Sequence, residues 1–295
     1  NISVKFLKSP IDDLNYDKIV EKIWVPFVLK PANWVQSAWV VKIKTQKNFD
    51  RYFKNYKKFH SRIVNKWLWN TDEIIAEEFI NGSFYSVDYL VKPDWNIVST
   101  KPVKVTLWTD MWVRDFFNCS KIISKEVEAE YDYYKILDFI KKTVKATWIR
   151  NTFIHHEFKI NKKWQYKTIE LNWRIGWRRT VIYKYWYDIN LYDFLFEDKV
   201  ENEIKSNLAF TRIYACENWI LKSFNERLFW EIENFNSFLS ISKNQKYINS
   251  EVWLTKNWFW SVWNIRLINN DYKKLKKDLK FIEDNYCDLL ELVKE

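Results

Sequence analysis

The chain of 295 residues contains only 2 glycines, 1 methionine and 3 cysteines. The cysteines, Cys119, Cys216 and Cys287, are odd in number and far apart. That is neither a disulfide framework nor a metal-ligand spacing, so they read as ordinary thiols in a reducing, cytoplasmic setting. No run of about 18 apolar residues occurs, so no membrane span is expected. The opening Asn1-Ile2-Ser3-Val4-Lys5 is no secretory leader, because a charged stretch followed by an apolar one is missing. It also lacks an initiating methionine, Met111 being the sole one. An upstream segment is therefore expected.

What is present describes a globular chain, 47% hydrophobic and 29% charged. Its length allows one large domain or two modest ones. The net charge of +10 comes from 48 basic and 38 acidic residues. The basic residues are mostly lysines in runs such as Lys54-Asn55-Tyr56-Lys57-Lys58 and Lys273-Lys274-Leu275-Lys276-Lys277. They read as solvated helix faces, and no nucleic-acid partner is expected.

Against the glycine shortage stand 19 tryptophans. The two residue types together make up about 7% of the chain, the share that glycine alone normally takes. Their positions agree. Asp94-Trp95-Asn96, Asn257-Trp258, Asn33-Trp34 and Asn218-Trp219 sit where a turn calls for Asp-Gly or Asn-Gly. A bulky residue is costly at the positive φ such turns need. We read these as glycine positions in a gene that uses UGA for glycine, translated with UGA read as tryptophan. The alternative is a genuinely tryptophan-rich, non-enzymatic binder of glycans or single strands using aromatic platforms.

Apolar periodicity and turn signals predict a helix ending at residue 23, strands over 25–30 and 40–45, and a helix over 47–63. Strands follow over 73–80 and 85–91, then one long helix over 126–147. A strand pair, 153–160 with 166–171, turns at 161–165, and a helix covers 188–196. Residues 271–293 form a closing amphipathic helix. Strands and helices without regular alternation predict an α+β fold.

Three segments carry chemistry. Lys30-Pro31 leads into Asn33-Trp34-Val35-Gln36-Ser37-Ala38-Trp39, which with glycines restored becomes a Gly/Ser turn able to surround phosphate oxygens with N–H groups. A plain hairpin loop also explains it. Glu77-Glu78-Phe79-Ile80 ends a strand whose backbone could meet an adenine edge. In the third segment Glu157 lies on one strand, with Glu170 and Asn172 two apart on its neighbour and so facing one side. Such oxygen ligands suit magnesium. Arg174 joins that face if the strand continues, and could hold a phosphoryl group or a carboxylate. A surface sheet of alternating charge is the competing reading. His155 and His156 face opposite ways and read as structural.

In order and content these segments resemble the ATP-grasp superfamily, of the carboxylate–amine or carboxylate–thiol ligase type with a carbamoyl-phosphate-synthase-like ATP-binding domain. The strongest match is Ile169-Glu170-Leu171-Asn172-Trp173-Arg174-Ile175-Gly176-Trp177, against that family's Glu-x-Asn-Pro-Arg-x-Gly-Gly strand. Trp173 replaces the usual Pro, and Phe84 stands where many members have an acidic residue. The resemblance covers roughly residues 20–196.

It implies two α+β lobes clamping ATP, with an antiparallel sheet in the C-terminal lobe. Residues 1–78 would form the lid subdomain and 79–295 the catalytic subdomain, the family's N-terminal domain being missing. Lys30 would touch phosphates, Asn33, Trp34, Ser37 and Trp39 would close over them, and Glu77, Glu78, Phe79 and Ile80 would hold adenine. Glu157, Glu170 and Asn172 would carry Mg²⁺ (or Mn²⁺), and Arg174 would steady an acyl phosphate. The expected partners are a small-molecule carboxylate and an amine. Lys104, Arg114 and Arg150 are candidate substrate contacts by charge and position. A homo-oligomer and a catalytically inactive ATP-binding module are left open.

Mass spectrometry of protein from its native source should find glycine at positions 34 and 173. A native peptide retaining either tryptophan overturns the recoding.

Overall fold

The computed structural model describes all residues except 1, 33–39, 64–72, 108–117, 177, 199–202, 204, 218, 244–246, 253–261 and 295. The first layer is a four-stranded antiparallel sheet of β1 (Phe6–Pro10), β2 (Phe27–Pro31), β3 (Val41–Ile43) and β4 (Glu73–Glu78), in the order β1-β4-β2-β3. Two helices, α1 (Tyr16–Ile23) and α2 (Gln46–Ile63), accompany it. Asn15 starts α1 by accepting the N–H groups of Asp17 and Lys18. Ile19, Ile23, Phe49 and Tyr52 then bury against Phe27, Leu29, Ile74 and Ala76.

The larger unit contains β5 (Ser83–Val91), β6 (Ile97–Ser99), β7 (Val103–Leu107), β8 (Asn118–Ile123), α3 (Lys125–Glu128), α4 (Tyr133–Thr147), β9 (Thr152–Ile160), β10 (Tyr166–Asn172) and α5 (Arg179–Tyr187). It continues through β11 (Asn207–Ile213), β12 (Trp219–Phe224), α6 (Glu226–Glu233), β13 (Phe238–Lys243), β14 (Glu251–Val252), β15 (Trp263–Asn269), α7 (Tyr272–Asp284) and β16 (Leu290–Val293). Its main sheet is antiparallel, ordered β10-β9-β5-β7-β8-β11-β15-β13, with β6 paired to β5. A small sheet, β14-β12-β16, completes the fold.

On one face Tyr85, Val87, Tyr89 and Val91 of β5 pack with Ile136, Phe139, Ile140 and Val144 of α4. On the other, α5 lays Ile182, Tyr183 and Trp186 over Leu90, Leu208 and Phe210. The first residues of β5 need Gly82. Its φ is 142°, and a Cβ there would stand 2.1 Å from the Ile160 carbonyl oxygen.

The structure revises four expectations. The helix over 126–147 is two helices, because Asp132 caps a new one by accepting the Lys135 N–H. The helix expected over 188–196 is a single 3-10 turn, Leu191–Leu195, and the true helix is α5 just before it. The closing helix stops at Asp284, and the chain returns as β16 beside β12. Cys216 and Cys287 are disulfide-bonded, their Cα atoms 5.5 Å apart although 71 residues separate them. Packing of the segment after β11 against the turn after α7 brings them together: Tyr286 donates to the Arg212 carbonyl and accepts from the Tyr214 N–H. No helix among the described residues is long and apolar enough to cross a membrane.

Four of the described tryptophans, Trp24, Trp95, Trp148 and Trp164, have φ between 56° and 78°. This left-handed backbone costs a side-chain-bearing residue about 1–2 kcal/mol. Trp186 differs, lying in a helix and fully buried. Replacing Trp164 by glycine should raise stability by about 1 kcal/mol in chemical denaturation, and the same change at Trp186 should cost about 3 kcal/mol or more.

Candidate functional site

The register of three neighbouring strands assembles the site. Ser86 on β5 pairs with Glu157 on β9, which pairs with Glu170 on β10. The next rung is Asp88, His155 and Asn172. A bulge between Thr168 and Glu170 makes this register possible. Without it, Ile169 would oppose Glu157. A bulge's extra residue lets two consecutive side chains share a face. Ile169 packs with Phe84, Val105 and Leu107, and Glu170 stands opposite Glu157.

Asp88 organises the rungs from within. It is 1% exposed. Its Oδ1 accepts from the Gly176 N–H at 2.6 Å and lies 3.0 Å from His155 Nδ1, while Arg179 Nε is 3.4 Å from Oδ2. Burial opposes its ionisation. The His155 charge and hydrogen bond, with Arg179 and the Gly176 N–H, nevertheless hold its carboxyl below the usual range. His155 Nε2 lies 3.4 Å from Glu157 Oε1. Burial disfavours the imidazolium, yet Asp88 and Glu157 on its two nitrogens bring its pKa above the ordinary value. Arg179, fully buried, donates to Ser86 Oγ.

The two facing carboxylates are not equivalent. Burial opposes charge on Glu157, but the hydrogen bond and charge of His155, then Lys121 and Arg179, draw its pKa down. Glu170 is solvent-open at the end of its rung, while protein surrounds the rest of it. Its pKa is raised by that burial and by the Glu157 charge, against which the Lys30 charge and an Asn172 hydrogen bond act. A like-charge pair with an amide oxygen two residues along fits a divalent cation that also takes phosphate oxygens. Among the described residues no group of three His, Cys, Asp or Glu side chains is poised to hold an ion.

The structure thus brings together Glu157, Glu170 and Asn172, with Lys30 near enough to act on Glu170. Lys30 itself pairs with Glu77 at 2.7 Å. Phe79 lies under two ammonium groups, Lys42 Nζ at 3.2 Å and Lys159 Nζ at 5.1 Å from its ring centroid. The Ile80 carbonyl accepts from Lys159 Nζ, and Lys5 N–H donates to the Glu78 carboxylate.

Other candidates lie elsewhere. Arg174 is off the strand, because β10 ends at Asn172. It is exposed and donates to the Ile175 carbonyl. Lys104 faces the α4 side of the sheet, where it pairs with Glu130 at 2.7 Å. Arg150 lies over the Trp95 ring. Asn33, Trp34, Ser37, Trp39 and Arg114 lie outside the described residues. His156 faces α4 and is structural. Burial depresses its pKa to about 3, and its Nε2 lies 3.1 Å from Thr168 Oγ1. Sequence reasoning missed Asp88, Lys121 and Arg179. An acidic residue inside the apolar run Tyr85–Val91 was the available signal for the first.

The family model of the ATP-grasp domain matches residues 23–180, more than half of the chain. The chain belongs to the ATP-grasp family, and its fold is that of ATP-grasp enzymes. It is similar to the crystal structure of an L-amino acid ligase from Bacillus licheniformis, with a TM-score of 0.69, 16% identity and coverage of 99% of this chain and 68% of that one. N5-carboxyaminoimidazole synthetase from Staphylococcus aureus, complexed with ADP, gives 0.58 at 16% identity, covering 96% and 67%. The biotin carboxylase domain of 2-oxoglutarate carboxylase from Hydrogenobacter thermophilus, holding MgADP and bicarbonate, gives 0.58 at 11%, covering 99% and 63%. No curated protein sequence matches the chain.

Asp88→Asn should destabilise the protein by about 3 kcal/mol or more, as removal of one partner leaves Arg179 and His155 buried without a counter-charge. Urea denaturation measures it.

Proposed function

We propose that this chain is the ATP-binding and catalytic part of an ATP-dependent, magnesium-dependent ligase. It would activate a carboxylate as an acyl phosphate for attack by an amine or thiol. The observation that carries this reading is the Glu157–Glu170 pair on one rung within reach of the Lys30 charge. Two facing carboxylates raise each other's cost of ionisation unless a cation lies between them. The solved structures it resembles, one with ADP and one with MgADP, support a nucleotide at this place.

Residues 1–78 act as the lid and 79–295 as the catalytic subdomain. Lys30 offers a point charge to phosphate oxygens, and the 33–39 loop closes over them. The strand end Glu77–Ile80 holds the adenine edge, while the patch of Phe84, Val105, Leu107 and Ile169 offers an apolar seat to the purine ring. Glu157, Glu170 and Asn172 hold magnesium, which when bound neutralises charge on the phosphoryl oxygens. His155, fixed by Asp88, keeps Glu157 ionised and aimed. Arg174, exposed beyond the strand end, is placed to meet a phosphoryl group or carboxylate as the lid closes.

Glu170→Gln should lower ADP release by about a hundredfold or more, since even outer-shell changes at metal sites cost 10–100-fold. A coupled ADP assay with hydroxylamine trapping of the acyl phosphate measures this. Equal turnover in variant and parent overturns the metal assignment.

A further inference from the structure

The C-terminal part of the chain is built on a core of its own, in which Ala215, Leu221, Phe229, Leu279, Ile282 and Leu289 are buried together. The Cys216–Cys287 bond lies across this unit. Cys216 follows the buried run Ile213-Tyr214-Ala215 at the end of β11, and Cys287 sits in the 3-10 turn Tyr286–Leu289 between α7 and β16. The bond closes a loop whose ends are 71 residues apart, and which takes in β12, α6, β13, β14, β15 and α7.

The turn is held in place without the sulfurs. Tyr286, 2% exposed, donates to the Arg212 carbonyl and accepts from the Tyr214 N–H. Asn225 reaches the same turn from the head of α6. Its backbone N–H donates to the Leu289 carbonyl, and its side-chain amide donates to the Asp288 carbonyl. Leu289 is fully buried, and β16 then pairs with β12. With these contacts made, the Cα atoms of the two cysteines stand 5.5 Å apart, within the range that a disulfide spans. Two thiols held this way have a high effective concentration for each other, so an opened bond re-forms.

The two sulfurs differ in access. Cys287 is exposed, whereas Cys216 is half-buried. A thiolate from solution therefore meets the Cys287 sulfur first and expels Cys216 as the leaving group. The length of the loop gives the bond its leverage, because the chain entropy that a cross-link removes from the unfolded state grows with the span it closes.

We infer that Cys216 and Cys287 form a redox clip, opened and closed by exchange with small-molecule thiols and disulfides, which fastens the turn 286–289 and β16 to the end of β11. To close it, the Cys287 thiolate attacks one sulfur of a small disulfide, and a small thiolate leaves. The Cys216 thiolate then attacks Cys287 Sγ in the mixed disulfide, and the second small thiolate leaves. Two electrons pass from the cysteine pair to the small disulfide, whose two halves take up the two protons. Opening is the reverse. The carboxylate rung on β9 lies four steps from β11 in the sheet order, roughly 19 Å at the usual strand spacing. The clip therefore governs how firmly the C-terminal unit is closed, and it stands whether or not the ligase reading does.

The folded chain is equilibrated with oxidised or reduced glutathione, alkylated, digested and mapped by mass spectrometry. Oxidised glutathione should give a cross-linked peptide pair joining positions 216 and 287. Reduced glutathione should free both for alkylation while circular dichroism remains native. Hydrogen exchange should then differ locally. Amides over 286–293 and 219–224 should exchange roughly tenfold or more faster in the open form, and those of β5 and β9 equally in both. The open form should melt about 5–10 °C lower. Cys216→Ser should trap glutathione at Cys287, and Cys287→Ser should take up far less at Cys216. A cross-link that reduced glutathione opens only in denaturant is a permanent staple and overturns the clip. So does absence of the cross-linked pair after oxidation, or equal exchange over 286–293 in the two forms. Both of those comparisons use the unaltered chain, so they decide the matter even if a serine variant misfolds.

Discussion

A single ionised carboxylate, Asp88, is taken out of water in the middle of the long sheet, and the site is arranged around keeping it charged. One oxygen receives the Gly176 N–H and sits against His155, while the other faces Arg179. Each partner reaches a different part of the machinery. Gly176 ties down the turn after β10, and His155 hands its second nitrogen to Glu157. Arg179 anchors the first turn of α5 and bonds to Ser86. A buried charge tolerates few arrangements of its neighbours. The position of Glu157, the turn at 176 and the head of α5 are therefore determined together rather than one by one.

This shared anchor divides the sheet face electrically. On the β9–β10 side the exposed chemistry is carboxylate and amide, suited to a hard cation and phosphates. On the β8–β11–β15 side it is guanidinium and aromatic. Lys121 feels both, since its charge is disfavoured by Arg179 and Arg212 and favoured by Glu157 and Asp88. Such polarity orients any ligand carrying charge of both signs before contact is made.

The carboxylate hairpin could be read in the sequence because a short turn, Asn161–Gln165, joins two strands of opposed direction, and antiparallel register follows from turn length. Asn161 closes that turn by accepting the Lys163 and Gln165 N–H groups. The head of α5 could not be read. It follows a turn containing Gly176, starts from the left-handed Arg178 and carries the aromatic and β-branched run Thr180–Tyr187, which has no strong helix preference. The cysteine pair was hidden for a different reason, because no local pattern reports that two segments 71 residues apart are neighbours. Among the expected glycine-like turns, Asp94-Trp95 left a legible signature, and Trp95 has a φ of 71°. Trp219, expected in the same kind of turn, instead begins β12, and Trp34 and Trp258 lie outside the described residues. Trp24, Trp148 and Trp164 also hold positive φ, with no Asp or Asn before them.

The bulge at Ile169 has a consequence for anyone transplanting this strand. A regular strand gives each face every second residue, so it could present Glu170 and Asn172 together but not Ile169 beside them. One supernumerary residue lets Ile169, Glu170 and Asn172 address the same side. The apolar patch and the proposed cation ligands are thereby welded into a single cassette. A graft onto another sheet that smooths the strand to ideal pleating would keep every letter of the motif yet separate its two duties.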